Sequence, residues 1–245
     1  MEGAAARRLG REARRRVHPR ERDPVQPAAR RGLSVHRVHP VHAAGEPRRG
    51  RARGALGRLG QDRVRHSHEV TGFTVWFTGL SGSGKTTISD LVAPELERRG
   101  LLVETLDGDV VRTHLSQGLG FGKADRDTNV ERIGWVASRL TRAGVAVVVS
   151  AISPYREARR HARELVEEFG PFVEVHVATP VEECERRDVK GLYAKARAGE
   201  IPEFTGVSDP YEEPEQPELR LDTMGLAPEQ SAQLVLAKLE ELACV

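Results

Sequence analysis

The sequence predicts an α/β fold in which helices cover both faces of a mainly parallel sheet of about five strands. Apolar runs of strand length alternate with stretches of helical periodicity, one run is almost continuously β-branched, and a glycine-rich loop separates the first run from the first helix. Strands that alternate with helices pair in parallel and need cover on both faces. The predicted architecture is therefore a three-layer sandwich.

The first strand and the first helix flank the glycine-rich loop. Residues 73–78, Phe-Thr-Val-Trp-Phe-Thr, form an apolar run of strand length. Residues 87–99 carry Ile88, Val92 and Leu96 at helical spacing, which predicts a helix with one buried face. The chain thus begins its folded part with a strand, a loop and a helix.

The later elements continue the alternation. The Val-Ala-Val-Val-Val run at 145–149 is typical of a strand that is buried on both faces. Apolar residues at helical spacing predict the helices, and short apolar runs predict the other strands. In chain order these elements are a strand at 101–106, a helix at 126–142, the strand at 145–149, a helix at 155–169, a strand at 172–177, a weaker strand at 218–221 and a helix at 228–242.

The loop after the first strand, Gly-Leu-Ser-Gly-Ser-Gly-Lys-Thr-Thr, predicts a nucleotide-binding P-loop, and hence a P-loop NTPase-type fold. Glycines let the backbone N–H groups point at phosphate oxygens, and the helix N-terminus faces the same anion. In this pattern Lys85 bridges the β and γ phosphates, and the Thr86 hydroxyl is a Mg²⁺ ligand. A chance glycine-rich turn is the alternative, but the preceding strand and the following helix argue against it. The predicted ATP-binding residues are Gly79, Leu80, Ser81, Gly82, Ser83, Gly84, Lys85, Thr86 and Thr87.

Two aspartates, Asp107 and Asp109, follow the second predicted strand. Ligands of such sheets bind at the carboxyl ends of the strands, where two carboxylates can hold a hydrated Mg²⁺ and accept a hydroxyl proton. Asp-Gly-Asp is also ordinary turn chemistry. The third strand ends in Ser150 and Ala151, where many P-loop proteins have a metal-directing aspartate, so the acid must come from elsewhere. Asp107 and Asp109 are the best placed substitutes, so we expect at least one of them to be more than a turn residue. Both are candidate catalytic residues together with Lys85, and both are candidate metal ligands together with Thr86.

Arg126 and Asn129 lie three residues apart at the start of a predicted helix, so they share one face. The planar guanidinium of arginine suits phosphate or sulfate oxygens. Taken alone, such a pair is more often part of an exposed helix surface.

The first 70 residues differ from the rest of the chain in composition. They contain 18 Arg, no Lys and seven acidic residues, a net charge of +11 in a chain whose total is +2. Without an apolar period this segment cannot offset its ordering entropy, so we predict a disordered arm at 1–70 and one catalytic domain at 71–245. An arginine block can bind nucleic acid. The absence of Lys is more typical of translated GC-rich upstream DNA or of an unselected tail, so nucleic acid is not an expected partner.

The sequence also bears on location. Its apolar runs fall well below the roughly 18 residues of a membrane span, and Cys184 and Cys244 have no metal or redox spacing. We expect a cytoplasmic protein that does not associate with membranes.

Several motifs together resemble the adenylyl-sulfate kinase family, whose members phosphorylate the 3′-hydroxyl of adenosine 5′-phosphosulfate (APS) with ATP. The resemblance extends from about Gly72 to the C-terminus. Several separate blocks in the order of the family are far more specific than a P-loop alone. Besides the P-loop, the matching blocks are Leu-Asp-Gly-Asp-Val-Val-Arg at 106–112, Leu-Gly-Phe-Gly-Lys-Ala-Asp-Arg-Asp-Thr-Asn at 119–129, Ser-Ala-Ile-Ser-Pro-Tyr-Arg at 150–156, and those at 184–193 and 203–206.

The resemblance implies a role for each matching residue. Asp109 is the carboxylate nearest the 3′-hydroxyl, with Asp107 in its metal and hydroxyl network, while two phenylalanines sandwich the substrate adenine. Without the resemblance, core packing would be the usual interpretation of each phenylalanine. The serine that matches Ser153 can be phosphorylated in the family, although transfer is direct. The implied substrate-binding residues are Asp107, Asp109, Arg112, Phe121, Arg126, Asn129, Ile152, Ser153, Lys190, Phe204 and Thr205.

The segment 190–206 has glycines, a proline, several charges and little apolar periodicity, a pattern that predicts a lid. The resemblance further implies ATP and APS as substrates, Mg²⁺ as cofactor, a homodimer, and association with ATP sulfurylase, to which some members of the family are fused.

Two alternative functions stay open on the sequence. One is another P-loop kinase acting on a small molecule or nucleotide, and the other is an inactive kinase-like regulatory protein. The presence of Lys85, Thr86, Asp107, Asp109 and Arg126 argues against lost activity.

Overall fold

The structure is a computed structural model that describes residues 72–245. The predicted arm at 1–70 lies outside the described residues. Five strands form one parallel sheet in the order β2-β3-β1-β4-β5, which confirms the predicted fold class. The elements are β1 Phe73–Thr78, α1 Lys85–Arg98, β2 Val103–Asp107, α2 Gly108–His114, α3 Lys123–Arg142, β3 Ala146–Ser150, α4 Arg156–Glu167, β4 Phe172–Val177, α5 Val181–Arg187, α6 Leu192–Arg197, β5 Leu219–Leu221 and α7 Pro228–Glu241.

Alternate side chains of β1 point into the two layers beside the sheet. Phe73, Val75 and Phe77 pack with α1 and α7, whereas Trp76 packs with α3 and α4 on the other face and stacks on Phe172 with ring centroids 5.6 Å apart. Every residue of β1 is buried, because β1 is the central strand and both of its faces are covered. Within residues 72–245, every helix falls short of the length and apolar character that crossing a membrane requires.

The sheet register brings the ends of three strands together. Asp107 at the end of β2 is paired with Ser150 at the end of β3, and Ser150 is paired with Phe77 of β1. Because all strands are parallel, the loop that follows β1 lies at the same edge as Asp107 and Ser150. This edge is where the candidate site is built.

Three short helices of six or seven residues, α2, α5 and α6, were not predicted from the sequence. Helices of this length have too few residues to show an apolar period in the sequence. Helix α6 lies within the predicted lid segment at 190–206, and it belongs to a third apolar cluster. We call this cluster the lid core; its buried members are Leu80, Cys184, Tyr193, Ala196 and Phe204.

Candidate active site

The loop between β1 and α1 has the backbone of a phosphate-binding loop. Gly79, Gly82 and Gly84 have φ angles of 147°, 74° and 105°, which side chains other than glycine rarely adopt. A Cβ atom at Gly79 would lie 2.6 Å from the carbonyl oxygen of Val177. Helix α1 begins at Lys85 and lacks a side-chain cap, so its first N–H groups are available to an anion.

Lys85 is held inside this loop and is only 8% exposed. Its Nζ donates hydrogen bonds to the carbonyl oxygens of Gly79, at 3.0 Å, and of Leu80, at 2.8 Å. Burial lowers the pKa of Lys85 to about 8, an effect that nearby Asp109 and Asp107 partly oppose. The ammonium group is thus desolvated, so a bound phosphate would stabilise its charged form.

Three oxygen-bearing side chains meet beside the loop. Thr86 Oγ1 lies 3.2 Å from Asp107 Oδ2, to which it donates, and 3.3 Å from Ser150 Oγ. The other carboxylate oxygen of Asp107 accepts from the backbone N–H groups of Asp109 and Val110, so Asp107 also caps α2. Hydroxyl and carboxylate oxygens are the ligands that Mg²⁺ prefers.

This donor set fits magnesium held through a few protein oxygens. Residues 72–245 contain no group of three or more His, Cys, Asp or Glu that could hold a metal ion. Mg²⁺ in phosphoryl-transfer sites usually keeps several waters and is bound through one or two protein oxygens and the substrate phosphates. The arrangement of Thr86 and Asp107 is compatible with that mode.

A cavity of about 330 Å³ lies against the loop, and we call it the phosphate-loop cavity. Its wall includes six of the nine residues predicted to bind ATP: Ser81, Gly82, Gly84, Lys85, Thr86 and Thr87. The other three, Gly79, Leu80 and Ser83, do not line the cavity. Leu80 turns its side chain into the lid core, because an apolar side chain gains more from packing there than from facing phosphate.

A second cavity of about 510 Å³ adjoins the first, and we call it the aromatic cavity. Its wall includes every predicted substrate-binding residue except Asp107, which faces only the phosphate-loop cavity. Six residues line both cavities: Ser81, Gly108, Asp109, Ala151, Ile152 and Lys190.

Asp109 and Lys190 therefore lie where the two cavities meet. Lys190 Nζ donates to Asp109 Oδ2 at 2.5 Å, and this bond raises the pKa of Lys190. Both side chains are exposed, so a bound molecule can compete for either of them.

The two phenylalanines of the aromatic cavity differ in their surroundings. Phe121 is 56% exposed, with the guanidinium of Arg112 stacked 4.5 Å from its ring centroid. Phe204 is buried against Tyr193 in an edge-to-face contact. Core packing thus describes Phe204 but does not describe Phe121, whose ring covers little of the protein interior.

Arg126 and Asn129 are both buried, so the alternative of an exposed helix surface does not hold. Arg126 donates to Phe121 O at 2.5 Å, to Thr205 Oγ1 at 2.6 Å and to the carbonyl oxygen of Glu203. A guanidinium has five N–H donors, so two remain for a ligand. Asn129 Oδ1 is buried without a hydrogen-bond partner among the described residues, in a side chain that lines the aromatic cavity.

Ser153 lines the same cavity, but its hydroxyl is engaged elsewhere. Trp76 Nε1 donates to Ser153 Oγ at 3.1 Å, and Ser153 is almost fully buried with a φ of 46°. Its carbonyl oxygen accepts from Arg159. Phosphorylation of this hydroxyl requires that it leave Trp76 and turn outward.

Several residues in the wall of the phosphate-loop cavity carry no recognisable signal in the sequence. Ser150 stands where many P-loop proteins have an aspartate, yet its hydroxyl contacts Thr86. Asp188 and Tyr193 belong to the matching block at 184–193, but their position beside the loop depends on how α5 and α6 pack against it. The residues of the phosphate-loop cavity that were missed are Gly108, Ser150, Ala151, Arg187, Asp188, Val189 and Tyr193.

The chain is similar in sequence to a family of known proteins. A family profile described as adenylylsulphate kinase matches residues 71–222. The adenylyl-sulfate kinase of Picosynechococcus sp. strain PCC 7002 is 58% identical over 174 residues, which cover 71% of this chain and 97% of the relative. A probable bifunctional SAT/APS kinase of Sorangium cellulosum is 51% identical over 176 residues, 72% of this chain and 30% of the relative.

A solved structure agrees in fold. The Mycobacterium tuberculosis APS kinase, solved in complex with AMPPNP and APS, is 48% identical with a TM-score of 0.67, and the match covers 69% of this chain and 98% of that one. All predicted site residues lie within the range that the family profile matches.

Proposed function

The chain belongs to the adenylylsulphate kinase family, and on that premise we propose that it transfers the γ-phosphoryl group of ATP to the 3′-hydroxyl of APS. The products are 3′-phosphoadenylyl sulfate and ADP. The chain is an enzyme, a transferase of the kinase class. The observation that carries the proposal is the meeting of the two cavities at Asp109 and Lys190.

ATP occupies the phosphate-loop cavity in this proposal. The N–H groups of the loop and the α1 N-terminus hold its phosphates, and Lys85 leaves the carbonyl oxygens of Gly79 and Leu80 to bridge the β and γ phosphates. Thr86 and Asp107 would hold Mg²⁺, which supplies charge neutralisation on the transferring group when bound. Desolvation of Lys85 strengthens its attraction to phosphate.

APS occupies the aromatic cavity. Its adenine stacks on Phe121 and contacts Phe204, while Arg112, Arg126 and Asn129 bind its charged and hydroxyl groups. Support comes from the two unused N–H groups of Arg126 and the unpartnered Asn129 Oδ1. Ile152, Ser153 and Thr205 complete the wall of this cavity.

Transfer is direct in this proposal. The 3′-oxygen forms a bond to the γ-phosphorus, the bond from that phosphorus to the bridging oxygen breaks, and ADP leaves with the electron pair. Asp109 accepts the proton of the 3′-hydroxyl after its bond to Lys190 opens, and Lys190 then faces the transferring group. The lid segment 190–206 excludes water, which suppresses hydrolysis of ATP.

The test is a coupled assay of ADP release with ATP, Mg²⁺ and APS. The matched control replaces APS with 5′-AMP, which lacks the sulfate. Release that depends on APS supports the proposal. Release with AMP but not with APS, or with another small-molecule acceptor alone, would assign the chain to a different kinase activity. A folded, ATP-binding protein that transfers to no acceptor would point to a regulatory role.

We also propose that residues 71–245 form the catalytic domain and that the enzyme works in the cytoplasm. A further proposal concerns its oligomeric state, which we expect to be a homodimer. Trp135 of α3 is 57% exposed and lines a surface depression with Leu115, Val136 and Leu165, beside the polar side chains of Glu131, Arg132 and His161; an exposed tryptophan of this kind is one that a second subunit can cover. Association with ATP sulfurylase is supported by the bifunctional SAT/APS kinase among the relatives. Light scattering of the purified chain tests the dimer.

A further inference from the structure

Tyr193 links the two cavities physically and has no role in the mechanism above. It lies in α6, it is 1% exposed, and its hydroxyl donates to the carbonyl oxygen of Ser81 in the phosphate loop at 3.0 Å. Its ring packs against Phe204 of the aromatic cavity, with centroids 5.0 Å apart and planes at 78°. One side chain therefore contacts a wall residue of each cavity.

A second contact joins the same two regions. Leu80 of the phosphate loop is buried in the lid core together with Tyr193 and Phe204. At Gly206, just beyond Phe204, an added Cβ atom would lie 2.9 Å from Leu80 Cδ2, so the lid segment approaches the loop closely. Packed interiors of this kind shift between discrete arrangements rather than deforming gradually.

The backbone of Tyr193 is fixed as well. The carboxylate of Asp188 accepts from the N–H groups of Tyr193 and Ala194, each at 3.0 Å, and so caps the start of α6. Asp188 itself has a φ of 21°, a rare value for a residue other than glycine. The position of the Tyr193 ring is thus set by the end of α5, whose Cys184 also belongs to the lid core.

We propose that Tyr193 couples the occupation of the two cavities: a nucleotide bound to the phosphate loop shifts Ser81 and, through the bond from Tyr193, moves Tyr193 and Phe204 to an arrangement that binds the acceptor nucleotide more tightly. By thermodynamic reciprocity the acceptor tightens binding of the donor by the same factor. Tyr193 is a positioning residue, since it acts through Ser81 and Phe204. The inference rests on the proposed function, because it takes ATP and APS as the two ligands.

The test measures this coupling directly. The dissociation constant of APS is determined by calorimetry with the full chain, in Mg²⁺, with and without saturating ADP, which binds the loop but cannot donate. We expect ADP to tighten APS binding by about fivefold or more in the wild type, the lower end of common coupling factors. In Tyr193→Phe, which keeps the ring and loses the bond to Ser81, we expect a factor below about two.

The matched control is Tyr155→Phe. Tyr155 is also buried, and its hydroxyl donates to Asp209 at 2.6 Å, away from the phosphate loop. Any effect of this variant on APS affinity should be the same with and without ADP. If Tyr193 has only a structural role, Tyr193→Phe should weaken APS binding by the same factor with and without ADP and leave the coupling factor unchanged.

The outcomes separate the two proposals. No binding of APS to the wild type in either condition would overturn the proposed function and this inference with it. Binding of both ligands without coupling, an undiminished factor in Tyr193→Phe, or an equal loss in Tyr155→Phe would overturn the inference alone. If Tyr193→Phe unfolds, Leu80→Val tests the same connection from the loop, with the same loss of coupling expected.

Discussion

At the scale of single residues, the burial of Lys85 gives a pH dependence. Its pKa is lowered to about 8, so the side chain loses its charge as pH rises through that value. We expect nucleotide affinity to fall above about pH 8, and nucleotide binding near pH 8.5 to take up a proton, because phosphate favours the ammonium form. Calorimetry in two buffers of different ionisation enthalpy measures this uptake; equal heats in both would contradict it.

The lowered pKa of Lys85 also makes the folding stability depend on pH. Between about pH 8 and the ordinary lysine value of 10.5, the unfolded chain binds more protons than the folded chain, so stability due to this group rises with pH in that window. Lys85→Met should therefore be more stable than the wild type at pH 7 by an amount on the order of 1–3 kcal/mol, a gain that shrinks by pH 10. Urea denaturation at both pH values measures the difference.

Asp109 is the residue on which the proposed chemistry depends. Asp109→Asn should keep the fold and ATP binding but lose transfer by about 10²–10⁴, the usual contribution of a positioned base. Single-turnover kinetics measures the loss. Asp90→Asn, a change of the same type on the exposed side of α1, is the control. Near-normal turnover in Asp109→Asn would remove it from its role.

Alanine substitutions of Phe121 and Phe204 should have different effects, one mainly on substrate binding and the other mainly on the stability of the fold. Because Phe121 is exposed, Phe121→Ala should raise the KM for APS by about tenfold with little change in the KM for ATP, and stability should change by less than about 0.5 kcal/mol. Phe204→Ala should destabilise the protein by about 3–5 kcal/mol, because it empties part of the lid core. Steady-state kinetics and thermal denaturation of both variants check the contrast, and a similar loss of stability in both would contradict it.

At the scale of elements, Asp107 serves two structures at once. One carboxylate oxygen caps α2 and the other accepts from Thr86. Asp107→Ser keeps a capping side chain and Asp107→Ala does not, so only the alanine variant should lose about 1 kcal/mol of stability. Both should need far more Mg²⁺ for nucleotide binding. Metal titrations followed by nucleotide fluorescence test this, and an unchanged metal requirement in Asp107→Ser would exclude the carboxylate from the metal site.

The short elements explain which parts of the site escaped sequence analysis. The longer helices and the buried strands are predictable because a run of neighbouring residues shows their apolar pattern, as at 145–149 and 126–142. Helices α5 and α6 are too short for such a period, and α6 is held by the cap from Asp188 and by the burial of Tyr193. The segment 190–206 shows little apolar periodicity and predicts a lid, but its residues 192–197 form helix α6.

At the scale of the whole molecule, residues 72–245 contain both cavities and all predicted site residues. A chain shortened to begin at Thr71 should therefore retain kcat and both KM values within about twofold. Steady-state assays of the full and shortened chains make the comparison. A large loss of activity would show that residues 1–70 contribute to catalysis.

The phosphate loop, the alternation of strands and helices and the family motifs are all readable from the amino-acid sequence. These features are local, since glycines at fixed spacing and apolar periods act on neighbouring residues. Three features of the site depend on long-range packing: Ser150 lies beside Thr86, Arg126 is buried with two N–H donors unused, and Tyr193 contacts a wall residue of each cavity. Those contacts join residues up to 112 positions apart, and only strand register and close packing bring such residues together.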